Sequence, residues 1–366
     1  MMLMYTVGGV FFYFRLTTLS GTRMRKNGNP SIKDVATVAG VSFKTVSRVL
    51  NADPGVSDEL RRRVEKAVKD VGYVANAGAR AMRSGKSDVV GFISDVITTT
   101  PYSYEIVKGV QDALSSRGLS MLIANTEYDA KREAKQIAMF LENRVRGIIY
   151  AAMFHRSVDM PKIPDDVDVV MVNCFDAEGR YPAVVPDDEQ IGYAAAKCLI
   201  GMGHRHIAYL TLHKKLIATP LRAKGFMAAV REAKLPLANV MVKTSRRLLR
   251  DGNEMSMARE IIGELFSSAQ PPTAILAAND PEAMPIVSAL QRLGLSIPED
   301  VSVLGIDDYR LICERIDPPL SSIALPYYEM GRRGVERLFA GDPNAIQLEK
   351  IPGPLVERQS VSSPRQ

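Results

Sequence analysis

The chain has 366 residues, 46% of them hydrophobic and 24% charged; at roughly 150 residues per domain it has room for two or three ordinary cores, which excludes a disordered chain, a collagen-like chain and a disulfide-stapled miniprotein. Three cysteines, Cys174, Cys198 and Cys313, lie far apart with no C-x-x-C spacing, so neither a zinc ribbon nor a disulfide framework is indicated, and the usage fits a reducing cytosol. The formal net charge of +6 is uneven: residues 15–86 hold 15 Lys and Arg against 6 Asp and Glu, while the remainder is net acidic by three, which points to a polyanion partner for the first part alone.

Residues 2–14 are uncharged and mostly apolar, and the first charge is Arg15. The run is shorter than the twenty or so residues that span a bilayer. A secretory signal needs basic residues ahead of the apolar stretch, and here they follow it. The preferred reading of residues 1–29 is a leader from an upstream start, with Met24 as the true start. No other segment is long and apolar enough to cross a membrane.

Residues 31–72 read as three short helices. Ser31 precedes the periodic run Ile32, Val35, Ala36, Ala39, with Asp34 placed for a capping box and Gly40 as the stop. Ser42 caps a second helix over 43–50 whose inner face is Val46, Val49 and Leu50. A loop at 51–55 leads to a third helix, capped by Ser57 and ended by Gly72. After a Ser/Gly-containing linker at 83–87 the pattern changes. Apolar runs at 89–93, 121–124, 147–151, 169–172, 207–211, 273–277 and 301–306 alternate with amphipathic helices such as 104–117 and 280–293, the latter with Asp280 as cap and Pro281 first. Such alternation predicts buried parallel sheets with helices on both faces. About 270 residues is long for one sheet, so two similar α/β lobes are expected.

The segment 31–51 is a helix-turn-helix. It has small Ala36 at the helix crossing, Gly40 in the turn and an apolar seam of Val35, Val41, Val46 and Val49. The second helix leaves Phe43, Lys44, Thr45, Ser47 and Arg48 outward, a surface that fits the major groove. Arg48 suits a bidentate bond to guanine, while Thr45, Ser47 and Asn51 suit phosphates, which position without specifying. This stretch, continuing through Val56-Ser57, Val71-Gly72-Tyr73 and residues 76–82, resembles the lactose-repressor (LacI/GalR) family of bacterial transcription regulators, and the resemblance runs to about Arg358.

The resemblance implies a helix-turn-helix DNA-binding domain over 30–75, a hinge helix and linker over 76–87, and a two-lobed, periplasmic-binding-protein-like α/β domain over 88–360. The DNA-facing set is then Ser31, Phe43, Lys44, Thr45, Ser47, Arg48, Asn51 and Asn76, with Met82 as the apolar wedge that opens a base step in the minor groove. Met82 stands where the family usually has Leu, and Ala75 replaces a common Pro. In the body, Arg222, Asn279, Asp307 and Asn173 match effector-binding positions at strand ends, where open α/β sheets take ligands; an arginine, an acid and two amides suit a hydroxyl-rich ligand. Asp95 and Tyr102 are expected on the first cleft wall, which departs from the family pattern, and Phe175 is a second candidate ring.

These readings imply a cytoplasmic homodimer that binds a near-palindromic operator in double-stranded DNA under control of a small effector, a sugar or related polyol, and acts as a repressor. The rival is an exported sugar-type solute-binding protein, which the basic helix-turn-helix opposes. No cofactor or metal is indicated: His204 and His206 sit at a helix-to-strand turn. No catalytic pair, triad or phosphate loop is present, so an enzyme is not expected.

Overall fold

A computed structural model describes residues 4–7, 10–13, 30–51, 53–74, 87–97, 103–248, 254–340 and 347–365. Asn76, Met82 and Tyr102 lie outside the described residues. The chain divides into two compact units, residues 1–77 and 78–366.

In the first unit, β1 (Met4–Val7) and β2 (Val10–Tyr13) pair antiparallel. Three helices follow, α1 (Ile32–Ala39), α2 (Phe43–Leu50) and α3 (Asp58–Val71). Asp34 accepts from the Ser31 backbone N–H at 2.8 Å and hydroxyl at 2.7 Å, as the capping-box spacing requires. Gly40 turns the chain at φ +62°, a left-handed conformation that glycine alone takes without steric cost. Ser42 Oγ caps α2 by accepting from Thr45 N at 3.1 Å. The core is built of small residues: Val35, Ala36, Ala39, Val46, Val49, Val56, Val64 and Ala67. Leu50, expected inside, is exposed, because three short helices enclose only a narrow Val/Ala core.

The second unit holds two six-stranded sheets. The first lobe orders its strands β4 (Ser120–Asn125), β3 (Val89–Ser94), β5 (Ile148–Val158), β6 (Val169–Asp176), β7 (Ala183–Pro186) and β15 (Leu348–Ile351), all parallel. The second orders β9 (Val240–Thr244), β8 (Ile207–Thr211), β12 (Ala274–Ala277), β13 (Ser302–Asp307), β14 (Ser321–Ala324) and β16 (Leu355–Val356); only β16 runs antiparallel. A separate hairpin, β10 (Arg246–Leu248) and β11 (Glu254–Ser256), joins β9 to the next helix. The central strands are buried on both faces, which explains their unbroken apolar runs.

Helices α4 (Ser103–Ser115), α5 (Ala130–Glu142) and α11 (Tyr327–Leu338) belong to the first lobe; α6 (Asp188–Gly201), α7 (Ala218–Glu232), α8 (Ala258–Phe266), α9 (Asp280–Arg292) and α10 (Arg310–Cys313) belong to the second. The chain passes between lobes three times: after β7 at Pro186–Asp187, after β14 at Leu325–Pro326, and between β15 and β16 at Pro352–Pro354. One apolar core, from Phe92 and Ile149 to Tyr209, Phe226 and Leu304, is continuous from lobe to lobe. Two expectations are corrected. The cap of α9 is Asn279, whose side chain accepts from Glu282 N at 3.0 Å; Asp280 turns inward and accepts from Tyr309 N and Ser322 Oγ. The packed body also runs past residue 360: Ser362 N donates to Ser302 Oγ, and Ser360 Oγ to Val303 O. Among the described residues no helix is long and apolar enough to cross a membrane.

Candidate functional site

On α2 the outward residues are Phe43, Lys44 and Arg48, with Thr45 and Ser47 half-covered; Ser31 and Asn51 are exposed at the helix ends. Phe43, at 54% exposure, is an aromatic ring left in water by a helix whose opposite face is sealed. The Thr45 hydroxyl is shared with Ser42 Oγ at 2.9 Å, so part of its capacity serves the cap. Arg48 is fixed rather than loose. Its Nε donates to Asp53 Oδ2 at 2.7 Å and Nη2 lies 3.4 Å from Gly55 O; Asp53 Oδ1 in turn accepts from Gly55 N at 2.8 Å. The loop after α2 thus holds the guanidinium by one edge.

In the second unit, Asn173, Arg222, Asn279 and Asp307, which come from β6, α7, the α9 cap and β13, line one cavity of about 60 Å³. This is room for roughly two waters. The rest of its wall is mostly apolar: Met153 and Phe154 from β5, Leu212, Leu216, Leu325 and Tyr327. The cavity lies where the strands end, as open α/β sheets require. A wider depression of about 780 Å³ sits at the other end of the first lobe's strands, beside Val169 and Gln347. Its Arg180 is already bound by Asp176 at 2.8 Å, and it lacks the converging amides of the cleft.

Two lining residues hold backbone conformations that side chains other than glycine rarely take, Asn173 at φ +57° and Asp307 at φ +116°, and Asp308, next to the latter, is at +54°. Such strain concentrates where a side chain must be aimed at a site. Asn173 Nδ2 is fixed by Ala152 O at 2.9 Å. Arg222 is buried; its Nε donates to Asp188 Oδ1 at 2.7 Å and Nη1 to Ala278 O at 3.2 Å. Asp188 also binds His155, Nδ1 to Oδ2 at 2.6 Å, and a carboxylate partner makes Nδ1 the donor. Burial disfavours both charges, yet the pairing wins: the Asp188 carboxyl is held below its usual range and Arg222 is held above its own. The contact exists because α6 and α7 pack backbone to backbone: a Cβ on Gly192 would stand 1.9 Å from Arg222 O.

Asp95 is corrected. It is fully buried beyond the cavity wall, where Oδ1 accepts from Val96 N at 2.9 Å and Met153 N at 3.1 Å, and Oδ2 from Arg156 at 3.2 Å. It clamps β3 to β5 inside its own lobe. Phe175 does not line the cavity either; it stands edge-on to the His155 ring at 5.8 Å. His204 is tied to Thr273 Oγ1 and Ser362 O, and no group of three His, Cys, Asp or Glu among the described residues could hold a metal. Sequence reasoning missed His155 and Asp188. The only signal was the acid pair Asp187-Asp188 opening α6, of which Asp187 is the cap.

Comparison with known proteins agrees with this architecture. Residues 31–76 match the family described as bacterial regulatory proteins, lacI family, and residues 196–361 match a periplasmic binding protein-like domain. The chain is 31% identical to the HTH-type transcriptional regulator DegA of Bacillus subtilis, over 91% of this chain and 98% of that one. It is 32% identical to the sucrose operon repressor of Escherichia coli, over 90% and 99%. Among solved structures, a LacI-family regulator from Rhizobium etli aligns at 34% identity and a TM-score of 0.70, over 76% of this chain and all of that one. The first two relatives align with nine tenths of this chain, and the helix-turn-helix has its own family match, which favours a regulator over the exported solute-binding alternative. The chain belongs to the LacI family of bacterial transcriptional regulators.

Proposed function

We propose that this protein is a cytoplasmic, homodimeric repressor that binds a near-palindromic DNA operator through α2 and releases or tightens its grip when a small polyhydroxyl effector occupies the cleft. Phe43, Lys44 and Arg48 face the major groove; Ser31, Thr45, Ser47 and Asn51 meet phosphates; Asn76 and Met82 act in the hinge. Asn173, Arg222, Asn279 and Asp307 hold the effector, and no catalytic step is involved. The domains run 30–75, 76–87 and 88 to the carboxyl-terminal tail. The observation that carries this reading is the convergence of four polar side chains from four separate segments on one cavity, in a chain that also exposes Phe43, Lys44 and Arg48 on a sealed helix pair. The sucrose operon repressor, by its name, controls a sugar operon, and a sugar effector would agree with the donor and acceptor content of the cleft. An effector acts by binding one lobe arrangement more tightly than the other. The test is capture of genomic fragments by the purified protein, with and without a panel of sugars and polyols. Retention of one near-palindromic sequence that shifts with one sugar supports the reading; binding no fragment under any condition refutes it.

A further inference from the structure

The charges around the cavity balance among themselves. Arg222 and His155 are the two lining residues able to carry positive charge, and both are bound to one carboxylate, that of Asp188. Asp188 is 1% exposed and Arg222 6%, so the pairing is made away from water, where an unpaired charge is costly. Asp307 adds a second carboxylate to the same wall. A ligand carrying a phosphate or carboxylate group would enter a largely apolar site whose guanidinium is already committed, beside a second carboxyl group. A ligand of hydroxyls alone meets no such penalty: carboxylate and amide oxygens accept its O–H groups, and amide N–H groups donate to its oxygens.

We propose that Asp188, by binding Arg222 and His155 together, sets the charge preference of the cleft, so that it takes an uncharged polyhydroxyl compound and turns away phosphorylated or acidic relatives of the same compound. The ligand-class part of this statement rests on the cleft being the effector site; the charge balance does not. Asp188 is therefore a specificity-determining residue that acts through Arg222. The Asp188→Asn substitution removes the carboxylate that Arg222 and His155 share and so shifts the cleft toward accepting an anion.

Two arms of one experiment test this on the full chain. In the first, thermal unfolding is followed with inorganic phosphate against chloride at equal ionic strength. Wild type gains nothing from phosphate. D188N melts lower than wild type and recovers several degrees with phosphate, because an anion bound only by the folded state raises its melting point. The double variant D188N/R222Q, which leaves Arg222's charge out as well, loses that recovery and guards against poor folding of the single variant. Equal phosphate stabilisation of all three proteins, or none in D188N, overturns the proposal. In the second arm, matched pairs (a hexose against its 6-phosphate and its uronic acid, a pentose against its 5-phosphate) are titrated into wild type. A neutral member binding at least about tenfold tighter than its anionic partner, a difference of about 1.4 kcal/mol, supports the proposal, and the opposite order overturns it. Phosphate rescue of D188N with no response of wild type to any sugar upholds the charge balance and refutes the effector reading alone.

Discussion

Asp95 and Asp307 both end a strand at the cleft edge of a six-stranded sheet, one in each lobe, yet they are used oppositely. Asp95 spends both oxygens on its own lobe, on two backbone N–H groups and Arg156. Asp307 is held at φ +116° with its side chain on the cavity wall. The first lobe thus contributes mainly an apolar wall, Met153 and Phe154, with Asn173 and His155 as its polar members; the second contributes Arg222, Asn279 and Asp307. Two sheets with the same strand order need not share chemistry: one strand-end carboxylate is turned into its own lobe, and the other stands on the cavity wall.

Substitutions at these two positions give the sharpest contrast. Asp95→Ala strands a buried backbone N–H and a half-buried guanidinium, and should cost about 3 kcal/mol in denaturant unfolding. Asp307→Asn, which tolerates positive φ, should change stability by under about 1 kcal/mol while abolishing the effector response measured by operator release. Equal stability losses at the two sites would erase the distinction.

The same division between structural and presented charge applies to the DNA-facing unit. Arg48→Ala should weaken specific operator binding by roughly 10- to 100-fold, about 1–3 kcal/mol, and leave nonspecific binding nearly unchanged in a fluorescence-anisotropy titration. Equal losses on both DNAs would make Arg48 a phosphate contact. Asp176 supplies a pH test within the first lobe. Its ion pair with Arg180, with two backbone N–H donors, holds the carboxyl down at about 2. The stability it contributes is therefore present above the unfolded-state value near 4 and is lost as pH falls toward 2. Asp176→Asn should lower stability by roughly 1–2 kcal/mol at pH 7, and the gap to wild type in chemical denaturation should close at about pH 2. The smallest effect is expected at Leu50: replacement by Ala should fall within about 0.5 kcal/mol, since the side chain is exposed.

The helix-turn-helix was legible because its signals are local: Ser31 and Asp34 lie three residues apart, Gly40 marks the turn, and valines recur at helical spacing. The seven apolar runs of the sensor body were legible for the same reason. Strands β14, β15 and β16 were not, since β14 and β15 mix polar with apolar residues and β16 has only two residues; β7 was not because its short run ends in Pro186. Asn279 and Asp280 exchanged roles because both residue types cap helices, and only the tertiary partners Tyr309 and Ser322 draw Asp280 inward. Asn173, Arg222, Asn279 and Asp307 were legible as one group, and the fold brings them to one cavity; His155 and Asp188 were not legible, because their bond spans 33 residues and two lobes. A histidine in an apolar run announces nothing until the fold supplies its carboxylate.

The threefold passage of the backbone between the lobes has a genetic corollary. Neither lobe is one uninterrupted stretch of codons: the first is completed by residues 326–352 and the second by the tail from 354 onward. A premature stop after residue 340 would remove β15 from one sheet and β16 from the other at a stroke, so late truncations of this gene should disable both halves of the sensor instead of releasing an intact one.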